Sequence, residues 1–362
     1  MQTGDIQVLA LFCFLPVATG GAAFAFFFRY RQHREPLRWS RLLFGNFLVL
    51  LWFGSLGVLG GEIYYRYFYN TTDSFGLSRI TLRWFDRHFH YNEVGFRDSV
   101  EYSRQVAPGH RRVTFLGDSF TAGHGIADVE QRFANRVRAT LPNGEVHVFA
   151  EPGWDTLQHV EVATALPADG FQLGLVVLVY CLNDLTDLVP EWMEIQRRIY
   201  EPDLPAFFVK NSFLVNTWHY RRKSAGDPDV ANYFQFVRDH YQGPVWRAQR
   251  ARLVSLKETI EKFDGRLVVV TFPFMHELGA AYSYHDVHDQ LGRLWDELGV
   301  AHLDLLETFE SYQAADMVVN RYDAHPNDQA HAIAADAIGP FLQQQLDATD
   351  LQPAEERATD KD

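Results

Sequence analysis

Ser119 sits where an apolar run, Val113-Thr-Phe-Leu116, breaks at Gly117-Asp118 and gives way to the small and polar stretch Phe120-Thr-Ala-Gly-His-Gly125. A strand that stops in this way delivers a hydroxyl to the edge of a sheet, and in an open α/β sheet that edge is where ligands bind. Taken alone, Gly117-Asp118-Ser119 also describes an ordinary turn. Three later segments change its meaning. Val146 to Ala150 reads as a second strand that breaks toward Gly153, and Leu175 to Cys181 reads as a long apolar strand that ends by presenting Asn183 and Asp184. Finally, Asp323 precedes His325 by two residues, just ahead of a helical pattern from Ala330 to Leu346. Together these are the parts of acyl transfer: a hydroxyl nucleophile, a base to take its proton, an acid to orient the base, and donors for the developing oxyanion.

The ordered set resembles the SGNH hydrolases, also called the GDSL esterase and lipase family. Ser119, Gly153, Asn183 and His325 match its four blocks over roughly residues 90–346, and Asn92-Glu-Val-Gly-Phe-Arg-Asp98 looks like the leader that precedes the first block in many bacterial members. The resemblance implies an α/β protein with a three-layer α/β/α, flavodoxin-like fold and a short parallel sheet. It also implies a serine esterase or acyltransferase that needs no metal and no cofactor. In that family's terms Ser119 attacks, His325 is the general base and Asp323 orients it. The Ser119 amide, the Gly153 amide and the Asn183 side chain form the oxyanion hole. Two positions depart from the pattern. Cys181 stands where the third block usually has glycine, so its side chain either narrows the pocket or fills the core. The acid lies two residues before the histidine rather than three, a spacing that in extended chain still puts both side chains on one side.

Neighbouring polar residues have simpler expected roles. Asp118 and Asp184 are expected to hold loops by accepting backbone hydrogen bonds. His124 is a rival base by proximity, disfavoured because His325 has a nearby acid. His331 is expected to cap or pack beneath the site, and His276, His285 and His288 to decorate a polar surface. His285-Asp-Val-His288 supplies two potential ligands without a third, so no metal site is expected. Asn70-Thr71-Thr72 is a formal glycosylation acceptor.

The elements that must carry this chemistry begin with an apolar amino terminus. Residues 6–28 and 42–63 are each long enough to cross a bilayer, which takes about 20 residues. Between them lie Arg29, Arg31, Arg34, Arg38 and Arg41, with His33 and only Glu35 in opposition. By the positive-inside rule that loop is cytoplasmic, so everything after Tyr64 lies outside the cytoplasm of an inner (plasma) membrane. A cleaved signal peptide would call for a basic leader, and residues 1–5 contain Asp5 and no Lys or Arg. Tyr64, Tyr65, Tyr67, Phe68 and Tyr69 supply an aromatic belt at the exit. The expected organisation is therefore a transmembrane hairpin over 1–69, a catalytic domain over 70–346 and a disordered acidic tail over 347–362.

Charge and composition agree with a single large domain beyond the membrane. The chain of 362 residues carries a net charge of −13, and the first 69 residues contribute +3, leaving −16 to the remainder. Such a surface disfavours nucleic acid as a partner. Cys13 lies in a span and Cys181 ends a strand, so the two cysteines do not staple the fold. Arg266 to Phe272 and Val300 to Leu305 read as the last strands, alternating with helical segments as in a parallel sheet. An insertion over about 187–245 is rich in aromatic residues, among them Trp192, Tyr200, Phe207, Phe208, Phe213, Trp218 and Tyr220. It is expected either to pack as an insertion on the bilayer surface or to form a lid or acyl-group wall over Ser119. The expected substrate is an O-acyl ester of a carbohydrate or lipid. An acyltransferase acting on an envelope polysaccharide and a non-catalytic envelope scaffold are the alternatives.

Overall fold

The computed structural model describes residues 3–32, 38–73, 78–200 and 206–350. The chain divides into two compact units, and the division is not collinear. One unit gathers Met1–Thr71, Gly76–Trp84 and Tyr200–Asp227; the other gathers Thr72–Phe75, Phe85–Ile199 and Pro228–Asp362. This differs from a single boundary near Asn70, because the middle of the aromatic insertion groups with the amino-terminal helices.

The first unit is built on helices α1 (Thr3–Gln32) and α2 (Trp39–Ile63), the latter continuing as a π-helical turn over Tyr64–Phe68. Both are long and apolar enough to cross a membrane by length and composition. They pack closely where small residues allow it. Thr19 and Ser55 hydroxyls meet at 3.1 Å, and a Cβ on Gly20 would fall 2.7 Å from the Trp52 indole. Arg29 and Arg31 end α1, while His33, Arg34 and Glu35 fall outside the described residues. A helix over Phe213–Gly226 also belongs to this unit. Its cap, Ser212, donates to Glu62 Oε2 at 2.6 Å, and the Phe213 and Leu214 amides donate to the same carboxylate at 3.1 and 2.9 Å. Glu62 thus neutralises the positive end of that helix while Arg66 binds it from the other side at 2.6 Å.

The second unit is a five-stranded parallel sheet in the order β2-β1-β3-β4-β5, from β1 (Arg111–Gly117), β2 (Gly144–Ala150), β3 (Leu175–Cys181), β4 (Arg266–Phe272) and β5 (Ala301–Asp304). Alternate residues separate its faces. Phe115 and Phe272 point to one side, where Phe133 of α3 (Phe133–Thr140) meets them at 5.9 and 5.4 Å. His331, on the helix Asp328–Asp350, stacks on Phe133 from beyond. Leu116, Leu178 and Val269 point to the other side, into a core shared with α4 (Thr156–Ala168), α5 (Gly243–Lys262) and α6 (His285–Glu297). The result is three layers, helix, sheet and helix, as expected for α/β patterning. A short antiparallel pair, β6 (Val318–Asn320) and β7 (Asp323–Pro326), leads into α7, the helix Asp328–Asp350. Residues 347–350 are therefore helical rather than part of a disordered tail, and 351–362 lie outside the described residues.

Strand order reverses between β1 and β3, which lie side by side while β2 flanks β1 on its other edge. Loops that follow β1 and β3 diverge there and leave a crevice at the carboxyl ends of the strands. Ser119 follows β1 and Asn183 follows β3.

Candidate active site

Gly117 ends β1 because no larger residue fits: a Cβ there would lie 2.1 Å from the Thr121 hydroxyl. The chain turns directly into the short helix Ser119–Ala122, capped by Asp118, whose carboxylate accepts the Phe120 amide at 2.9 Å. Ser119 is thereby held at the strand end with 9% of its surface exposed. Asp184 likewise accepts the Cys181 amide at 3.3 Å, so both acids hold the loops they sit in. Cys181 is 1% exposed and belongs to the core rather than the pocket. Burial, with Asp118 and Asp184 nearby, drives its thiol up.

Strand β7 presents the other partners. The Ser119 hydroxyl is 2.8 Å from His325 Nε2, and His325 Nδ1 is 2.5 Å from Asp323 Oδ1. The two-residue spacing thus does bring acid and imidazole together, since β7 is extended and alternate side chains share a face. Asp323 Oδ1 also accepts the His325 amide at 3.1 Å. Burial alone would raise Asp323, but the charges and hydrogen bonds of His325 and His124 outweigh it and hold the carboxyl well below the usual range. An ionised Asp323 accepts only, which makes His325 Nδ1 the donor and leaves Nε2 to accept from the serine hydroxyl.

Two residues at this site were not assigned to it from sequence. Thr72, read only as part of a glycosylation sequon, is fully buried and donates its hydroxyl to Asp323 Oδ2. His124 does not stand as a separate base. Its ring stacks on His325 with centroids 4.0 Å apart and planes 8° from parallel, and its Nε2 lies 3.3 Å from Asp323 Oδ2. Burial, then the neighbouring His325 charge, lowers the pKa of His124 from its ordinary value. The donor atoms of His124, Asp323 and His325 all lie within 4.8 Å of one another. Each Asp323 oxygen is already engaged by a donor, a pattern of hydrogen bonding around an anion rather than of lone pairs turned toward a cation.

The leader Asn92–Asp98 acquires a physical reason. The buried Arg97 guanidinium donates to the carbonyls of Ala122 and Gly123 at 3.1 and 2.6 Å, and to Ile126, pinning the loop that carries His124. Asp98 accepts from Arg138, Asn135 and Arg132 at 2.8, 3.1 and 3.2 Å, and from the Tyr102 hydroxyl at 2.5 Å. Burial would raise this acid, but the Arg138 hydrogen bonds and the Arg132 charge dominate and hold it far below the usual range.

Gly153 follows β2 with φ +87°, a conformation that favours glycine, and it is exposed. Asn183 is half-buried after β3. Next to Gly153 in the chain, Glu151 is pushed up to about 7 by burial, as is Asp155 by burial and by Asp187. His331 packs beneath the site as expected: its Nδ1 accepts the Phe133 amide at 3.1 Å, and burial, reinforced by Arg132, lowers it to about 3. The surface assignment of the remaining histidines needs correction. His285 is exposed, but His288 is 3% exposed and bonded to Tyr282 at 2.9 Å and Asp304 at 2.8 Å, while His276 stacks on Phe234 at 3.5 Å. Within the insertion, Trp192 packs on Tyr233 at 4.6 Å inside the α/β unit.

No protein-family model matches the chain, and no curated protein does. Its fold is similar to that of several solved structures at low identity. An extracellular lipase from Streptomyces rimosus is 14% identical over 65% of this chain and 99% of its own, with a TM-score of 0.41. A lipolytic protein of the G-D-S-L family from Veillonella parvula is 14% identical over 62% of this chain and 94% of its own, at 0.38. A two-domain esterase active on acetylated mannans is 16% identical over 65% of this chain and 49% of its own, at 0.34. The solved structures this chain is similar to thus include G-D-S-L proteins, lipases and an esterase.

Proposed function

We propose that this protein is a membrane-anchored serine esterase or acyltransferase of the SGNH type, using Ser119, His325 and Asp323 as a triad. One observation carries the reading: an unbroken hydrogen-bonded chain from a strand-end hydroxyl through an imidazole to a buried, ionised carboxylate. Ser119 Oγ attacks the carbonyl carbon of the ester as its proton passes to His325 Nε2, and Asp323 holds the resulting imidazolium in place. The carbonyl oxygen of the ester becomes an oxyanion that takes hydrogen bonds from the Ser119 and Gly153 amides and the Asn183 side chain. Asn183 makes no side-chain hydrogen bond among the described residues, which leaves its donors for that purpose. Collapse of the intermediate breaks the bond to the alcohol, which leaves with the proton from His325. Water, or the hydroxyl of a carbohydrate acceptor, then loses its proton to His325 and attacks the acyl-enzyme, freeing Ser119.

The substrate we propose is an O-acyl ester of a carbohydrate or lipid outside the cytoplasm. The two apolar helices support the anchor, and the arginines at their junction support the orientation. The full chain in detergent, given aryl esters of graded acyl length with and without a saccharide acceptor, tests the reaction. Burst release of the phenol followed by a slower steady rate is expected, and acceptor-dependent acceleration would assign acyl transfer. No turnover and no labelling by a fluorophosphonate would end the proposal. Orientation is tested by a reporter after Asp362, expected to be active only outside the cytoplasm.

A further inference from the structure

In the first unit, the short helix Phe207–Asn211 lies against α1 in a way that fixes its depth. Counting about 20 residues from Arg29, the length that crosses the hydrocarbon core, reaches Leu9; the same count from Arg41 reaches Gly61. Phe12 is therefore within the core, close to its outer edge. The Phe208 ring stacks on Phe12 with centroids 6.2 Å apart and planes 5° from parallel. Toward the other end of the segment, a Cβ on Gly4 would overlap the Asn211 side chain, so the segment runs from Phe12 outward along α1. On α2, a Cβ on Gly61 would lie 3.2 Å from Leu214.

Polar groups hold the segment at this level. Arg66 and Arg79 donate to the Asn211 and Lys210 carbonyls at 3.0 and 2.6 Å, and both pair with Asp5, at 3.7 and 2.8 Å. The Arg66, Arg79 and Arg83 guanidiniums lie 4.5 to 4.8 Å from the Phe213 ring. The backbone carbonyls that would be costly at the edge of hydrocarbon are thus satisfied by arginine. What the segment leaves outward is apolar: Phe207 is 47% and Phe208 40% exposed. Beside them Lys210, also exposed, is long enough to carry its ammonium to the headgroups.

We propose that Phe207 and Phe208 are a third membrane-seated element, inserted among the acyl chains beside α1 and held there by the Asp5, Glu62, Arg66 and Arg79 network. The inference rests on the membrane-anchor part of the function proposed above. Its content is that residues 206–211 contact lipid and do not form a lid.

The test uses the full chain carrying Cys13→Ala, reconstituted in phosphatidylcholine vesicles, with an environment-sensitive fluorophore on Phe208→Cys or, separately, Phe207→Cys. Leu50→Cys, on the exposed face of α2, serves as the bilayer reference, and Asp286→Cys, on the exposed side of α6, as the water reference. The expected result is a blue-shifted probe at both phenylalanine positions, quenched by lipids labelled near the headgroup end of the acyl chain. Iodide should quench it several-fold less than the probe at position 286. Iodide quenching equal to that of the water reference, with the position 50 probe still in lipid, overturns this inference alone. Both probes in water would overturn the anchor as well. Retained ester turnover in each variant shows that the label has not unfolded the chain.

Discussion

Two buried aspartates of the α/β unit, Asp98 and Asp323, are both held well below the usual carboxylate range, and by opposite means. Asp98 is surrounded by Arg132 and Arg138, whose charge is permanent over any accessible pH. Asp323 is surrounded by two imidazoles, those of His325 and His124, and by the neutral hydroxyl of Thr72. The first arrangement has nothing to give up during a reaction and joins Tyr102 to α3. In the proposed reaction the second would stabilise a proton arriving on His325 and let it leave. Fixed cations build the scaffold; titratable ones do the proposed chemistry.

That contrast can be broken first at the nucleophile. Ser119→Ala should lower kcat by about 10⁶ and abolish fluorophosphonate labelling while leaving the melting temperature unchanged. Retained turnover would remove the triad. Asp323→Asn should lower kcat by up to about 10⁴, because the amide stabilises the wrong imidazole tautomer. A rate near that of the parent would mean that His325 works without this acid. Asp98→Ala reverses the pattern: it strands two buried arginines and should cost about 3–5 kcal/mol of stability, read by denaturant unfolding, with kcat little changed at temperatures where the chain stays folded. The sign with pH follows from its lowered value. The stabilisation is present above the unfolded carboxyl range and is lost as pH falls through the folded one, so the parent and Asp98→Ala should converge in strong acid.

Two smaller effects sharpen the comparison. Asn183→Ala should cost about 10² to 10³ in kcat with little change in KM, the loss of one donor to the transition-state oxyanion. His124→Phe keeps a ring against His325 and removes the polar Nε2 that lies 3.3 Å from Asp323, so kcat should fall about 10- to 100-fold, the worth of a polar contact to a buried charge. An equal loss in His124→Phe and His124→Ala would tie the effect to the polar contact, whereas rescue by phenylalanine would tie it to stacking.

Much of this arrangement is legible in the chain because it depends on local pattern. The break at Gly117 places Ser119, and the alternation in Asp323-Ala-His325 puts acid and base on one face of β7. The core strands are visible as apolar runs; Arg266–Phe272 is bounded as read. The burial of His288 was legible although a surface position was expected for it, since it falls in the helical series Val287, Leu291, Leu294 and Trp295, whose spacing places it inside. His124 and Thr72 were not, because stacking and a hydrogen bond across 251 residues leave no periodic trace. Nor was the company kept by residues 200–227, which is decided by partners such as Glu62 about 150 positions away.

The chain leaves the α/β unit at Ile199 and re-enters it at Pro228, after contributing Ser212 to the pocket that holds Glu62. Cleavage near Asn70 would therefore not shed the α/β unit from the hairpin, because residues 206–226 would stay noncovalently docked on α1 and α2. A truncated polypeptide starting at Asn70 would carry the reverse problem: the amides of Phe213 and Leu214 would lose their carboxylate, and Phe208 the Phe12 ring on which it stacks. A soluble form therefore requires two deletions, the hairpin and the segment that it receives.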